Sequence, residues 1–360
     1  MTHELLTGSP GMDGGEYTQC MSDPVGARDQ AGHKRPHGAQ CDMGSFEGDA
    51  PGNDAPVALV NGPYSGVEGS PITLKLDGFD QDDDDITFSW DFGNGVGGSG
   101  PVPPTSYTYP DNPLAPKTTY TLTLIVKDSH GAYDLKTTTA TIANVAPNVV
   151  ASLSATTVVS GEQVQLTGSF TDPGVLDSPW NYEINWGVGL KTQGKATPGV
   201  SISGTRQYCA VGVYSPSLSV TDKDNDTGTK TLSLTVTPFG VQVALPGAVS
   251  LNGAGGGTVT ATLLSTKTFD AAASVDAATA TLGGPVGPRI GIAKKQNGYP
   301  MTSITDVNND GLMDRVLQFD RTTLVKTGAI TASTTQLVVR ATLMNGCTQI
   351  EAAGPITVVP

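Results

Sequence analysis

Charged residues are scarce in this sequence, and basic residues are scarcer than acidic ones. Only 15% of the 360 residues are charged, with 20 lysines and arginines against 34 aspartates and glutamates, so the formal net charge is −14. Nucleic acids and anionic membranes are polyanions, which argues against binding to either. An excess of carboxylates suits a protein that binds divalent cations, although it also serves solubility alone.

Long apolar runs are absent as well. No window approaches 18 apolar residues, so we expect no membrane-spanning helix and no insertion into a membrane. The opening Met1–Leu6 has neither the basic segment nor the apolar core of a signal peptide. Either a leader has been removed or the protein leaves the cell without one, as virion proteins released by lysis do. We therefore expect an extracellular location or a virion or cell surface.

Cysteine is rare, since the four in the chain are too few for a disulfide scaffold. Cys209 and Cys347 fall in different predicted domains, so we expect each to be free and buried. Cys20 and Cys41 could instead close a loop as a disulfide or stay free thiols. A zinc site is the remaining alternative, and it would use Cys20, His33, His37 and Cys41.

The motifs of catalysis are missing too. The chain has no Gly-x-Ser-x-Gly nucleophile turn, no His-Glu-x-x-His zinc motif and no phosphate-binding glycine loop, and only four histidines. Two acids far apart in sequence could still meet in space as a sugar-hydrolysing pair. The acids concentrate in predicted turns, however, which favours metal binding or solvation. We predict that the protein is not an enzyme.

Short strands and turns fill most of the chain from Ala55 onwards. Glycine (45 residues) and proline (25) are abundant, and no run has the periodicity of a long helix. Alternating apolar residues predict strands of an antiparallel sandwich at 56–60, 72–76, 86–90, 120–126 and 137–142. Residues 1–55 show little apolar periodicity, so we expect an irregular extended arm, ordered against a neighbour or serving as a flexible leader.

The same pattern recurs about 95 residues later, which is the main organisational signal of the sequence. Residues 164–168, 182–187, 214–222 and 231–236 repeat the segments that begin at 72, 87, 120 and 137. The joint Asn144–Pro147 contains a proline that favours a stiff connection.

Both repeats resemble the polycystin-type (PKD) repeat. The first carries Trp90–Gly95, close to that family's Trp-Asp-Phe-Gly-Asp-Gly, with Tyr107–Pro110 and the closing Val126–Gly131. The second is more divergent at Trp186–Gly189 but matches well at Val220–Gly228. The resemblance implies immunoglobulin-like sandwiches on an extracellular protein, serving as spacers or adhesive modules without catalysis.

The sequence thus predicts an all-β protein of four parts. Residues 239–360 resemble C-terminal modules of some secreted bacterial proteins, although the resemblance is loose outside one acidic loop. We expect this region to be another β-rich domain. The predicted parts are an arm over 1–55, PKD-like sandwiches over 56–146 and 147–238, and a calcium-loop domain over 239–360.

The acidic loop Asp306–Asp314 is the sharpest candidate site. Calcium takes six to eight oxygen ligands, and alternate acidic positions around a glycine supply them. The twelfth position is Leu317 where an EF-hand needs glutamate, so the loop resembles the shorter β-hairpin calcium loop of integrin-type repeats. An acidic turn without metal is the alternative. The predicted ligands are Asp306, Asn308, Asp310, the Leu312 carbonyl and Asp314.

Two further acidic segments are candidates for calcium. Five aspartates stand within Asp80–Asp85, and they repel one another unless a cation or a basic partner compensates. Asp222, Asp224 and Asp226 alternate in a similar way. Solvated acidic loops are the alternative for both segments. The predicted ligands in the first segment are Asp80, Asp82 and Asp84.

Two functions fit these observations. The first is a surface structural protein, a decoration, fibre or filament subunit, whose arm contacts copies of itself or another surface or capsid protein. The alternative is a carbohydrate- or protein-binding adhesive module of a secreted protein, which could bind polysaccharide. This alternative predicts an exposed aromatic platform, for which the candidates are Tyr64, Tyr107, Tyr109 and Tyr133.

Overall fold

The computed structural model describes residues 53–81, 83–113, 117–252 and 256–360, with the single positions Pro10, Arg35 and Met43. Nearly all of the predicted arm, including Cys20, His33, His37 and Cys41, lies outside the described residues. The chain divides into two compact units. The first falls within Met1–Val145, Asp172–Ser178 and Lys223–Asp226, and the second is formed by Ala146–Thr171, Pro179–Asp222 and Thr227–Pro360.

The first unit is built from nine strands in its described part. One five-stranded sheet has the order β2-β9-β8-β5-β6, and the pairs β1-β4 and β3-β7 complete the unit. The strands are β1 (Val57–Val60), β2 (Tyr64–Val67), β3 (Pro71–Thr73), β4 (Leu76–Phe79), β5 (Thr87–Asp91), β6 (Gly97–Gly100), β7 (Ser106–Thr108), β8 (Lys117–Lys127) and β9 (Tyr133–Ala143).

Period-two alternation explains the long central strand β8. One face carries exposed or half-buried residues, mostly threonines and lysines, and the other carries buried residues, among them Leu122, Leu124 and Val126, all 0% exposed. The turn after β5 depends on glycine, because Gly93 and Gly95 have φ values of 80° and 83°. The predicted strand at 72–76 is wrong in its extent, since the structure breaks it into β3 and β4.

The second unit begins with a set of short sheets. Their orders are β10-β12-β15, β11-β19-β16 and β14-β13-β17-β18. They enclose a core that contains Trp180 and Trp186. The strands are β10 (Asn148–Leu153), β11 (Thr157–Val159), β12 (Gln163–Thr171), β13 (Trp180–Asn185), β14 (Lys191–Ala196), β15 (Ile202–Gln207), β16 (Gly212–Tyr214), β17 (Ser217–Thr221), β18 (Thr227–Thr231) and β19 (Leu234–Thr237).

The rest of the second unit has sheets β20-β29-β28-β24-β25, β21-β23-β27-β26 and β22-β30 around a further core. Its described residues include two short helices, α1 (Ala271–Ser274) and α2 (Arg321–Lys326). Its strands are β20 (Phe239–Gly240), β21 (Gln242–Ala244), β22 (Ala248–Ser250), β23 (Thr258–Leu264), β24 (Val275–Gly283), β25 (Arg289–Gly291), β26 (Thr302–Thr305), β27 (Asp314–Asp320), β28 (Gln336–Leu343), β29 (Gln349–Pro355) and β30 (Thr357–Val359). The all-β prediction is confirmed.

Cys209 and Cys347 are joined by a disulfide within the second unit. The prediction that both are free is therefore wrong, although Cys347 is buried as expected. Hydrogen bonds near the bridge fasten the turn between β11 and β12 to the start of β29: the Ser160 hydroxyl donates to the Gln349 carbonyl and accepts from the Gln349 amide, at 3.1 and 2.7 Å. No described helix has the length and apolar character needed to cross a bilayer.

Candidate metal sites

Three carboxylates meet at the loops of the first unit. Asp80 and Asp84 lie between β4 and β5, and Asp128 follows β8. One oxygen from each lies within 4.8 Å of the others. We call these three residues the Asp128 cluster. Oxygen atoms bound to one calcium ion at about 2.4 Å can be at most about 4.8 Å apart, so the spacing fits a shared calcium ion.

Asp128 is held by backbone amides. Its Oδ1 accepts hydrogen bonds from the N–H groups of His130, Gly131 and Ala132 at 2.9, 2.6 and 2.9 Å. Its Oδ2 accepts from Asn53 Nδ2 at 2.7 Å. Burial raises the pKa of Asp128, but these hydrogen bonds outweigh burial and the pKa lies below its ordinary value. Asp128 therefore contributes a fixed negative charge.

The 80–85 loop brings the other two acids to this position. The Asp84 amide donates to Asp80 Oδ1 at 3.4 Å, and Asp83 adopts a φ of 61°, which turns the chain tightly. The His130 ring nitrogen Nδ1 lies 2.7 Å from Asp84 Oδ2. Of the predicted ligands, Asp80 and Asp84 come together here, whereas Asp82 lies outside the described residues.

The loop Asp306–Asp314 folds back on its own side chains. Asp306 accepts from the amides of Asp310 and Gly311 at 3.2 and 2.9 Å, and Asp310 Oδ1 accepts from the Leu312 amide at 2.8 Å. Asn308 Nδ2 donates to Asp310 Oδ2 at 2.9 Å. Gly311 has a φ of 85°, as the predicted sharp turn requires. These contacts join Asp306, Asn308 and Asp310 within one loop, but the carboxylates of Asp306, Asp310 and Asp314 do not all come within 4.8 Å of one another.

Asp314 differs from the other predicted ligands of this loop because it is buried and structural. It is 0% exposed, its Oδ1 accepts from the Ser265 amide at 2.8 Å, and its Oδ2 accepts from the Val307 amide at 2.9 Å. The Ser265 hydroxyl also donates to the Met313 carbonyl at 2.6 Å. Asp314 thereby fastens the loop to the end of β23, whether or not a metal is present.

The alternating acids at 222–226 are divided between the two compact units. Asp222 is buried in the second unit directly after β17, whereas Asp224 and Asp226 belong to the first unit. Asp224 Oδ2 pairs with Lys223 at 2.6 Å, and Asp226 Oδ2 accepts from Asn144 Nδ2 at 2.8 Å. Calcium binding by all three remains a prediction from spacing alone.

The predicted aromatic platform is wrong. Tyr109 is 0% exposed in the core, its hydroxyl donates to the Phe92 carbonyl, and Tyr107 stacks on Phe92 with ring centroids 3.6 Å apart. Tyr64 packs against the same core. Tyr133 is the one candidate of the four that is exposed.

The segment that forms this core and the Asp128 cluster matches a known family model, the PKD domain, over residues 53–143. Residues 53–143 form a PKD domain. Collagenase ColQ1 of Bacillus cereus (strain Q1) is 34% identical over 91 residues, which is 25% of this chain. The chain spans 9% of the length of that collagenase.

This chain is also similar to several solved structures. The PKD domain of an M14-like peptidase from a Thermoplasmatales archaeon is 24% identical, with 25% of this chain and 92% of that chain covered and a TM-score of 0.22. A tetra-tandem repeat in the extending region of a large adhesion protein is 16% identical, with 84% and 74% covered and a TM-score of 0.32. Carbohydrate-binding modules of the β-sandwich superfamily are 16% identical, with 51% and 97% covered and a TM-score of 0.24.

The PKD domain agrees with the resemblance seen in the first repeat, and such domains occur in extracellular proteins. The sequence analysis placed Asp128 in a family motif but did not predict that it lies close to Asp80 and Asp84. The signal was available, because Asp128 directly follows the end of an alternating strand, where a loop acid can approach the acids of the neighbouring loop.

Proposed function

We propose that this chain is a non-catalytic extracellular structural protein whose immunoglobulin-like modules are stabilised by calcium. The Asp128 cluster carries this proposal: three carboxylates from two loops and the side chain of Asn53 converge at the PKD domain. Bringing these charges together without a cation costs free energy by mutual repulsion. A bound calcium would offset that cost and fix both loops to the segment that precedes β1.

The loop Asp306–Asp314 is the second calcium site of this proposal. Asp306, Asn308, Asp310 and the Leu312 carbonyl would be the ligands, and Asp314 supports the loop from beneath. The Cys209–Cys347 disulfide also favours an extracellular setting, because disulfides persist in oxidising compartments.

The finer role that we propose is a decoration, fibre or filament subunit at a virion or cell surface. Sheet edges such as β6, an outer strand of its sheet, offer unpaired backbone groups for contacts with neighbouring copies. The segment 1–55 would supply a further contact with the same kind of partner.

Chelation is expected to lower the melting temperature of the full chain. Calcium at 100 times its dissociation constant stabilises a folded domain by about 2.7 kcal/mol, so a calorimetric scan should show a clear upward shift on adding calcium chloride after chelator. Asp84→Asn should reduce this shift in the PKD domain. Asp77→Asn removes an exposed acid of β4 and should leave the shift intact. Equal melting temperatures with calcium and with chelator would contradict calcium stabilisation.

Electron microscopy of the purified native material tests the assembly role separately. We expect regular arrays or filaments in which each chain contacts its neighbours, because the proposed role needs self-association or attachment to a surface protein. A variant that lacks residues 1–52 is the matched comparison and should form fewer ordered contacts. Native material that consists only of single chains would contradict the assembly role while leaving calcium binding untouched.

A further inference from the structure

A second group of acids lies in the first unit and shares no residue with the Asp128 cluster. Glu68 follows β2, Asp111 lies between β7 and β8, and Asp177 belongs to the segment Asp172–Ser178. One oxygen of each lies within 4.8 Å of the others, and Glu68 and Asp177 are 0% exposed. We call these residues the Glu68 cluster.

One oxygen of each buried carboxyl has a partner. Glu68 Oε1 accepts from the Val145 amide at 2.8 Å, and Asp177 Oδ1 accepts from Lys223 Nζ at 2.9 Å. The other two, Glu68 Oε2 and Asp177 Oδ2, are buried and accept no hydrogen bond. A buried carboxylate oxygen without a partner costs several kcal/mol, so the fold implies an occupant that these oxygens contact.

The charges in this region do not balance. Lys223 Nζ contacts Asp111 Oδ1, Asp177 Oδ1 and Asp224 Oδ2 at 2.7, 2.9 and 2.6 Å. Together with Glu68 this makes four carboxylates around one ammonium, which leaves three negative charges uncompensated when all are ionised. Burial raises the pKa values of Glu68 and Asp177 above their ordinary values, which reflects the cost of negative charge at this position.

Close approach of the two buried carboxyls depends on a glycine. A Cβ atom at Gly174 would lie 2.1 Å from Asp177 Oδ2 and 2.8 Å from the Glu68 carboxyl carbon, so no larger residue fits there without rearrangement. The segment is held against the PKD domain by a further tight contact, since a Cβ at Gly69 would lie 2.2 Å from the Pro173 carbonyl oxygen. The fold therefore places these acids together by close packing of the backbone.

We propose that Glu68, Asp111 and Asp177 bind a calcium ion of their own. The ion would contact the two unpartnered oxygens and one oxygen of Asp111, which a hard divalent cation prefers as ligands. Its two positive charges would leave a net charge of about −1 among the four carboxylates, Lys223 and the ion. It would tie Asp172–Ser178 to the loop after β2 independently of the Asp128 cluster.

The competing occupant is a proton shared between Glu68 and Asp177. A shared proton would also satisfy both unpartnered oxygens, so the two occupants are separated by Glu68→Gln, which keeps the shape and the acceptor for Val145 but removes one charge. If calcium binds, this variant should lose one bound calcium per chain after equilibrium dialysis of the full-length protein against calcium chloride. Asp77→Asn should lose none.

The same measurement distinguishes calcium bound at the Glu68 cluster from calcium bound at the Asp128 cluster. Asp84→Asn should lose the ion of the Asp128 cluster, and the double variant with Glu68→Gln should lose two ions. If Glu68→Gln binds as much calcium as the parent, the cluster holds a proton and our proposal is wrong, even where Asp84→Asn behaves as expected. Failure of Asp84→Asn alone would count against the Asp128 cluster only.

If Glu68→Gln does not fold, anomalous diffraction from crystals of the unaltered chain tests whether the Glu68 cluster binds a cation. Crystals of the parent soaked in terbium chloride, a calcium substitute with a strong anomalous signal, should show a peak between the carboxyls of Glu68 and Asp177. Peaks at other acidic loops without one at this position would overturn the proposal.

Discussion

Replacing Cys209 and Cys347 together with alanine should lower the free energy of unfolding of the second unit by about 2–5 kcal/mol. The bridge joins residues that are 138 positions apart, so its loss frees a long loop in the unfolded chain. The chain-entropy account gives larger effects for longer loops and predicts a value near the upper end of this range.

Guanidinium titration followed by tryptophan fluorescence measures this loss, because Trp180 and Trp186 lie in the core of the second unit. A background of Trp90→Phe removes the tryptophan of the first unit and serves as the parent. Reduction of that parent with a thiol should reproduce the midpoint of the double variant. An unchanged midpoint in both experiments would show that the bridge contributes nothing to stability.

Asp314→Ala should destabilise the second unit by about 3–5 kcal/mol. The substitution leaves the buried amide of Ser265 and the partly buried amide of Val307 without their charged acceptor, and a hydrogen bond to a charged group contributes about 1.5–3 kcal/mol. Because these are contacts within the protein, the loss should be the same in chelator as in calcium. Denaturant titration under both conditions provides the comparison.

Asp310→Ala is the matched variant for this prediction. Asp310 lies on the surface of the same loop, and its side chain accepts hydrogen bonds only from Leu312 and Asn308 among the described residues. If the loop binds calcium, Asp310→Ala should destabilise the unit in calcium and much less in chelator. A loss from Asp314→Ala that appears only with calcium would contradict its role as an anchor.

The first repeat shows that an alternating pattern predicts which residues are buried but not which strands are neighbours. Ile72, Leu74 and Leu76 all point into the core, as alternation predicts. The hydrogen-bonding partner changes between them, because β3 pairs with β7 and β4 pairs with β1. A pattern of burial does not report which strand is the neighbour, so the sequence predicted one strand where the structure has two.

The Glu68 cluster could not be predicted from the sequence, for a different reason. Its three acids come from separate segments, and none stands in a run of acids that would draw notice. Cys209 and Cys347 are a similar case, since their Cα atoms are 4.5 Å apart although the sequence suggested separate domains. The loop Asp306–Asp314 could be named as a candidate site from the sequence because its candidate ligands are neighbours in sequence.

Parallel pairing of early and late strands has a mechanical consequence. In the PKD domain β2 pairs in parallel with β9, from Tyr64 opposite Ala140 to Val67 opposite Ala143. A pulling force applied at the two ends of this domain would draw these strands past each other along their length. All their hydrogen bonds would then bear the load at once in shear, where an antiparallel hairpin pulled at its open end would unzip bond by bond. The topology is therefore suited to bearing tension.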